Sequence, residues 1–299
     1  MFLAHIKKSP RFLQLWGTFL VLLSGTLYGF IGFLGTEILR DRFSVLDMLF
    51  WRFFIASIWI LIFSFFIRDK SLLTSFKLSG LINVLFLSSI FYSSSTAFYF
   101  LASKDTGTGP AMVIFFSFPV FVVLFAWLTY KERISKIAMS ALAAIIIGLY
   151  LLKGRGGSSL NINGIFFGIA SALFYAFYIV SSKRHVIKFS PNLLTILICL
   201  GNALIFLILA YLTHTLTHPT HLHTWIYVML LGIFATAVPI QLLFIGLKYI
   251  SPIKASILTV TEPVMTLIVG MLLLGETISL IQMTGVFIIL LGATLIQFE

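Results

Sequence analysis

Charge is scarce in this sequence, and negative charge scarcest: charged residues make up 10% of 299, with 9 Asp and Glu against 20 Lys and Arg. A chain that is 60% hydrophobic, with a mean hydropathy of +1.10, has too little polar surface to clothe a soluble domain of this length. Its solvent is lipid. The single cysteine, Cys199, excludes an intramolecular disulfide and reads as a small buried apolar residue. No histidine lies well inside an apolar run, and those runs hold no nucleophile with a base, no paired acids and no metal cage, which argues against an enzyme working within the bilayer. His214, His218, His221 and His223 cluster in one polar stretch, but no acid or cysteine stands beside them and Pro219 interrupts any helix, so no metal is expected there. No cofactor is implied. The basic residues are scattered over many short loops rather than gathered into a patch, which disfavours a nucleic-acid partner.

What is present is a succession of apolar runs. About 20 apolar residues are needed to cross roughly 30 Å of hydrocarbon. Runs of that order fall at 16–36, 47–67, 79–103, 109–129, 137–152, 163–182, 193–213, 224–247, 252–274 and 279–297. The fold class read from them is an all-α integral membrane protein with ten transmembrane helices. They are continuous rather than alternating, which favours helices over a barrel. Lys7, Lys8 and Arg11 precede the first run like the start of a secretory signal, but the run is long and has no small-residue cleavage pattern, so it is read as an uncleaved first helix.

The loop charges orient the chain. With the N-terminus inside, the cytoplasmic loops hold Arg68, Lys70 and Lys77, then Lys131, Arg133 and Lys136, then Lys183, Arg184 and Lys188, then Lys248 and Lys254. The opposite loops hold only Arg40, Arg42, Lys104, Lys153 and Arg155. The positive-inside bias therefore puts both termini in the cytoplasm of a bacterial inner membrane.

The chain also repeats itself. Residues 98–152 align without a gap on 242–296, matching Lys104 to Lys248, Pro119 to Pro263, Glu132 to Glu276, Ser135 to Ser279 and Gly148 to Gly292. A second echo puts Gly17, Ser24 and Tyr28 on Gly164, Ser171 and Tyr175. An odd number of spans per copy places equivalent turns on opposite sides, and the charges agree: the turn from Tyr130 to Ser135 is basic, whereas its match from Leu274 to Ser279 keeps only Glu276. Two inverted five-helix repeats follow, at 1–152 and 163–299, joined by an external linker at 153–162 whose Gly and Ser cluster, Gly154 to Ser159, reads as flexible. Inverted repeats put a substrate site near the midplane between the halves.

The segment from Ile257 to Ser279, ILTVTEPVMTLIVGMLLLGETIS, with its weaker echo from Ile114 to Ser135 and with Arg52 early in the second span, resembles the repeat of the drug/metabolite transporter superfamily in its EamA branch. The resemblance spans essentially the whole chain and implies a ten-helix fold and transport. It leaves the substrate open among amino acids, nucleotide-linked and other metabolites and quaternary amines, and it favours export. Phe118 stands where the second copy has Glu262, so a carboxylate role carries over only to the second half.

Two charged residues lie well within a span, Glu262 and Arg52. Either costs about 2.5–3.5 kcal/mol on insertion scales and is expected to face a cavity or a partner. Glu262 precedes Pro263 and reads as an amine contact or proton carrier, or else as a structural carboxylate bonded to backbone or to Arg52. Arg52 reads as a carboxylate-binding fork or gate, or else as an interfacial arginine paired with Asp47, Glu37 or Asp41. Trp51, Tyr28, Tyr175, Gln241, Ser94 of the Tyr92–Thr96 polar patch, and Tyr99 complete the expected substrate-binding set, with Tyr178 also mid-span. Pro119 and Pro263 are expected gating kinks. The glycines at 25, 29 and 32, and at 164 and 168, are expected to admit a closely packed helix.

The sequence thus predicts a secondary carrier for a small metabolite, working by alternating access with the proton as a candidate coupling ion, as a monomer or homodimer in the bilayer. One carboxylate and little positive charge in the spans argue against phosphorylated anions and for neutral or zwitterionic amino acids and related amines. Uptake or exchange of a quaternary amine or nucleoside-type metabolite is the alternative, and a channel or a membrane enzyme the remaining classes.

Overall fold

The structure, a computed structural model, describes residues 9–41, 43–67, 78–85, 89–106, 108–131, 134–152, 161–275 and 279–298. The Gly154 to Ser159 linker, the Glu132 and Glu276 pair and the basic residues Lys7, Lys8, Arg42, Arg68, Lys70, Lys77, Arg133, Lys153 and Arg155 lie outside them. Every described regular element is helical. In order these are α1 (Pro10–Tyr28), α2 (Ile31–Leu39), α3 (Val45–Phe66), α4 (Leu78–Asn83), α5 (Ser89–Thr106), α6 (Thr108–Phe115), α7 (Phe118–Tyr130) and α8 (Lys136–Leu152). Then follow α9 (Ile162–Lys188), α10 (Pro191–Leu212), α11 (Leu222–Gly232), a π turn (Ile233–Ala237), α12 (Val238–Leu247), α13 (Pro252–Leu258), α14 (Thr261–Leu274) and α15 (Leu280–Leu295), with a closing 3-10 turn at Ile296–Phe298.

Among the described residues, seven helical segments are long and apolar enough to cross a membrane: Pro10–Leu39, Val45–Phe66, Pro110–Tyr130, Ile162–Lys188, Pro191–Leu212, Leu222–Leu247 and Pro252–Leu274. Lys136–Leu152 and Leu280–Leu295 are shorter apolar helices. The expected third run falls on α4 and α5, where the Ser and Tyr patch dilutes the apolar content. Helix starts are written in the sequence. Ser9, Ser190 and Ser251 each precede a proline, and each hydroxyl accepts from the backbone N–H three residues on, at 3.2 Å, so the cap meets an orphan donor while proline occupies the position that needs none. The α9 helix runs six residues past its expected end. There Lys183 turns back to donate to the carbonyls of Leu247 (2.6 Å) and Ile250 (2.9 Å), capping the end of α12 with a cation.

Packing follows the internal repeat. α1 lies against α12, α13 and α14, while α9 lies against α5, α6 and α7. These two sets exchange under the alignment of 98–152 with 242–296. The hydrogen bonds exchange too: Ser24 donates to the carbonyl of Pro239 at 2.8 Å, and its match Ser171 donates to the carbonyl of Ser95, the match of Pro239, at 2.7 Å. The expected small-residue stripes are contact lines. Gly25, Gly29 and Gly32 meet Thr261, Met265 and Thr266 of α14, and Gly164 and Gly168 meet Thr106 and Ile114. α3 packs along α10, and α8 along α15. In the last pair Gly148 touches Gly285 and Ile289 while Gly292 touches Ala141 and Ile145, so residue numbers rise on one helix as they fall on the other and each contact has its counterpart.

The half-helices α7 and α14 also end alike, at the left-handed residues Lys131 (φ 57°) and Gly275 (φ 69°). A side chain in that conformation costs about 1 kcal/mol, and a Cβ on Gly275 would touch nothing within 4 Å. Gly275→Ala should therefore destabilise the protein by about 1 kcal/mol and Lys131→Gly stabilise it by a similar amount. Thermal unfolding in detergent of the two variants checks the opposite signs.

Candidate functional site

Two spans are broken at matching places. α6 stops at Phe115 and α7 resumes at Phe118, and α13 stops at Leu258 and α14 resumes at Thr261. The cause lies one or two residues beyond each break. Pro119 and Pro263 bring no N–H to the ladder, and each ring crowds the carbonyl four residues back, so the chain closes instead through short turns such as Glu262 N to Thr259 O at 3.0 Å. Irregular backbone at such depth is tolerated only inside protein or along a cavity. The break puts Glu262 in the first turn of α14, where free N–H groups and the helix dipole favour a negative group. Although protein surrounds it, Glu262 is only partly covered, whereas Thr261 and Pro263 on either side are buried.

Arg52 lies opposite in charge, two turns into α3 and only 5% exposed. Its Nε donates to Thr236 Oγ1 at 2.6 Å, its guanidinium lies 5.1 Å from the centre of the Phe53 ring, and its Nη2 has no hydrogen-bond partner. Thr236 is presented by the π turn. Pro239 cannot donate to the carbonyl of Ala235, and the helix accommodates this with one wide turn in which the Thr236 hydroxyl donates to Leu231 O, five residues back, at 2.8 Å. Gly232 brings this turn against α3, for a Cβ there would fall 3.0 Å from the carbonyl of Arg52.

Aromatic rings fill the space between. Tyr92 stands 4.8 Å from Tyr178, 5.9 Å from Tyr175 and 5.6 Å from Phe53, centre to centre. Tyr28 is 1% exposed, and its phenol reaches toward that of Tyr92 without closing a hydrogen bond. Tyr178 likewise leaves its hydroxyl unmet. Glu262 is in electrostatic reach of Arg52, Tyr92, Tyr99 and Tyr175, but among the described residues neither of the two charges is in an ion pair. The acids expected as partners of Arg52 make other contacts. Glu37 pairs with Arg40, Asp41 accepts from Thr224 and lies 3.4 Å from His223, and Asp47 accepts from Thr217 at 2.8 Å through Oδ2, its Oδ1 being buried without a hydrogen-bond partner.

Of the expected set, Tyr28, Arg52, Tyr99, Tyr175 and Glu262 converge with Tyr178. Trp51 does not join them. Its indole donates to the carbonyl of Thr217 at 3.0 Å and its ring meets Trp225 edge-on at 5.0 Å, so it pins the segment between α10 and α11 to the start of α3. Gln241 donates to Asn192 and ties α12 to α10. In the serine patch, Ser93 donates to Asn202 at 2.6 Å and Ser95 to the carbonyl of Ser171 at 2.9 Å. At 100° per residue, Ser94 is then about 200° from Tyr92, on the far side from the tyrosines. Sequence reasoning passed over Thr236 and left Tyr92 out of the set. The signals were a hydroxyl three residues before Pro239 in an apolar run, and a phenol at the head of a serine cluster.

Comparison with known proteins agrees with the sequence resemblance. The profile of the EamA-like transporter family matches residues 15–153 and again 162–298. The chain belongs to the EamA-like transporter family. An uncharacterized transporter of Archaeoglobus fulgidus is 34% identical over 204 residues, 68% of this chain and 72% of that one. The uncharacterized inner membrane transporter YicL of Salmonella typhimurium is 26% identical over 290 residues, 93% and 94% of the two chains. The match to the Bacillus subtilis transporter YxxF, 27% identical, spans 64% of that protein. A solved crystal structure with 19% identity superposes with a TM-score of 0.77 over 93% of this chain and 95% of the other, which extends the likeness to the fold. This EamA protein is thus a multi-pass membrane protein of a transporter family.

The unmet hydroxyls make a stability prediction. Tyr28→Phe and Tyr178→Phe remove buried groups that have no partner, so neither should lower the melting temperature in detergent. Ser171→Ala removes a bond that is made and should cost about 1 kcal/mol in the same assay.

Proposed function

We propose that the protein is a secondary carrier for a neutral or zwitterionic amino acid or related amine, working by alternating access in a bacterial inner membrane. The observation that carries this reading is the pairing of two opposite charges, Glu262 and Arg52, brought into one tyrosine-lined region without neutralising each other. A zwitterion has an ammonium for the first and a carboxylate for the second. A phosphorylated substrate would ask for several cations, and Arg52 is the one charged base in this group of residues.

In this reading the ten helices form two inverted five-helix repeats, 1–152 and 163–299. The exchange of α1 and α9 contacts and the antiparallel, reciprocal seam of α8 on α15 support it. The breaks before Pro119 and Pro263 are its gating elements, Glu262 carries the coupling proton, and both termini are cytoplasmic. The chain functions as a monomer or homodimer, without a cofactor.

Glu262→Gln tests the carboxylate. It is expected to abolish proton-coupled uptake into liposomes and to flatten the pH dependence of exchange, whereas unchanged transport and pH profile would make Glu262 structural. Orientation has its own test, because the one native thiol, Cys199, is buried. A cysteine at exposed His218 should react with a membrane-impermeant maleimide in spheroplasts, and labelling only in inside-out vesicles would reverse the topology.

The cluster of Tyr92, Tyr175 and Tyr178, whose rings pack against one another, supports one further reading, a quaternary amine held against an outer ring face. It is told apart by counterflow, in which choline or betaine rather than a primary amine would exchange.

A further inference from the structure

We propose that the π turn of Ile233–Ala237 builds a carboxylate subsite, in which Thr236 is the positioning residue for Arg52 and the Tyr28 hydroxyl supplies a further donor. This deepens the carrier reading and rests on it. Buried Arg52 has five N–H donors in a rigid fork, and such a group is stable in a protein core only when acceptors meet it in the right plane. Thr236 meets one edge at Nε and Phe53 lies near the guanidinium carbon, while Nη2 stays unmatched. One edge of the fork is thereby fixed and the other left for an acceptor.

Thr236 is itself fixed. Its hydroxyl proton goes to Leu231 O, so its oxygen faces Arg52 with lone pairs only. An ordinary α-helical turn would rotate the residue about 100° per position and take the hydroxyl off α3. Of the other buried groups without a hydrogen-bond partner, Tyr28 Oη is in electrostatic reach of Arg52. A guanidinium edge with a phenol beside it is a donor-rich, acceptor-poor set. It suits a carboxylate and discriminates against the ester or the amine lacking that group.

The experiment uses the full-length protein in detergent and measures binding of L-leucine, L-phenylalanine and L-threonine, each beside its methyl ester and its decarboxylated amine. The free acids are expected to bind at least about tenfold more tightly than their esters. Thr236→Val should bring acid and ester to within about twofold while leaving the amine's affinity as it was, and Thr236→Ser should restore the preference. A merely structural role would weaken all three ligand types together. Esters binding as well as acids, or Thr236→Val keeping the preference, would overturn the subsite. Amines binding while acids do not would sink the subsite and leave an amine carrier, whereas no binding by any probe would remove both.

Discussion

A charge carried into hydrocarbon must be met by protein, and Arg52 is met by a single threonine hydroxyl on another helix. That bond needs α11 to lie against α3 at Gly232, needs a helix that swells by one residue before Pro239, and needs Ser24 to take up the carbonyl of Pro239. Through Ser24 it reaches α1, whose Gly25 and Gly29 lie against Thr261 and Met265 of α14, the helix that carries Glu262. The two charged side chains are thus held by one connected set of helices. A shift in any of them changes the distance between the charges, which is the property a carrier cycle would exploit.

The two halves differ at the site. Phe118 occupies the place of Glu262, and it lies 4.7 Å, edge-on, from Tyr175, the match of Tyr28. One half fills its break with rings, and the other places a carboxylate there. Two family repeats with matching breaks therefore differ in polarity, and the charges Arg52 and Glu262 have no like-charged counterparts at the matching break. In the carrier reading, a zwitterion would have one orientation to adopt rather than two.

Much of this was legible in the chain. Apolar run lengths located most of the helices, although α1 begins six residues before its expected start and α9 ends six residues beyond its expected end. Pro119 and Pro263 foretold the breaks, because a missing N–H acts locally whatever surrounds it. Arg52 and Glu262 stood out because charge inside a span is costly. The π turn was not legible. Its cause, Pro239, is visible, but whether the helix answers a proline by kinking, breaking or widening depends on the neighbour it must fit, here α3. The contacts of Trp51 and Gln241 were hidden for a related reason: their partners, Thr217 and Asn192, come from parts of the chain that sequence spacing does not bring near.

The seam between α8 and α15 is made where it is tightest of glycines facing isoleucines, Gly148 receiving Ile289 and Gly292 receiving Ile145. A β-branched side chain has few rotamers to give up when it is held in such a notch. Sliding one helix along the other would drive each isoleucine into the next turn of its neighbour. Such a joint behaves as a latch with a fixed register, so this pair of helices moves as one piece and any rearrangement has to take place elsewhere.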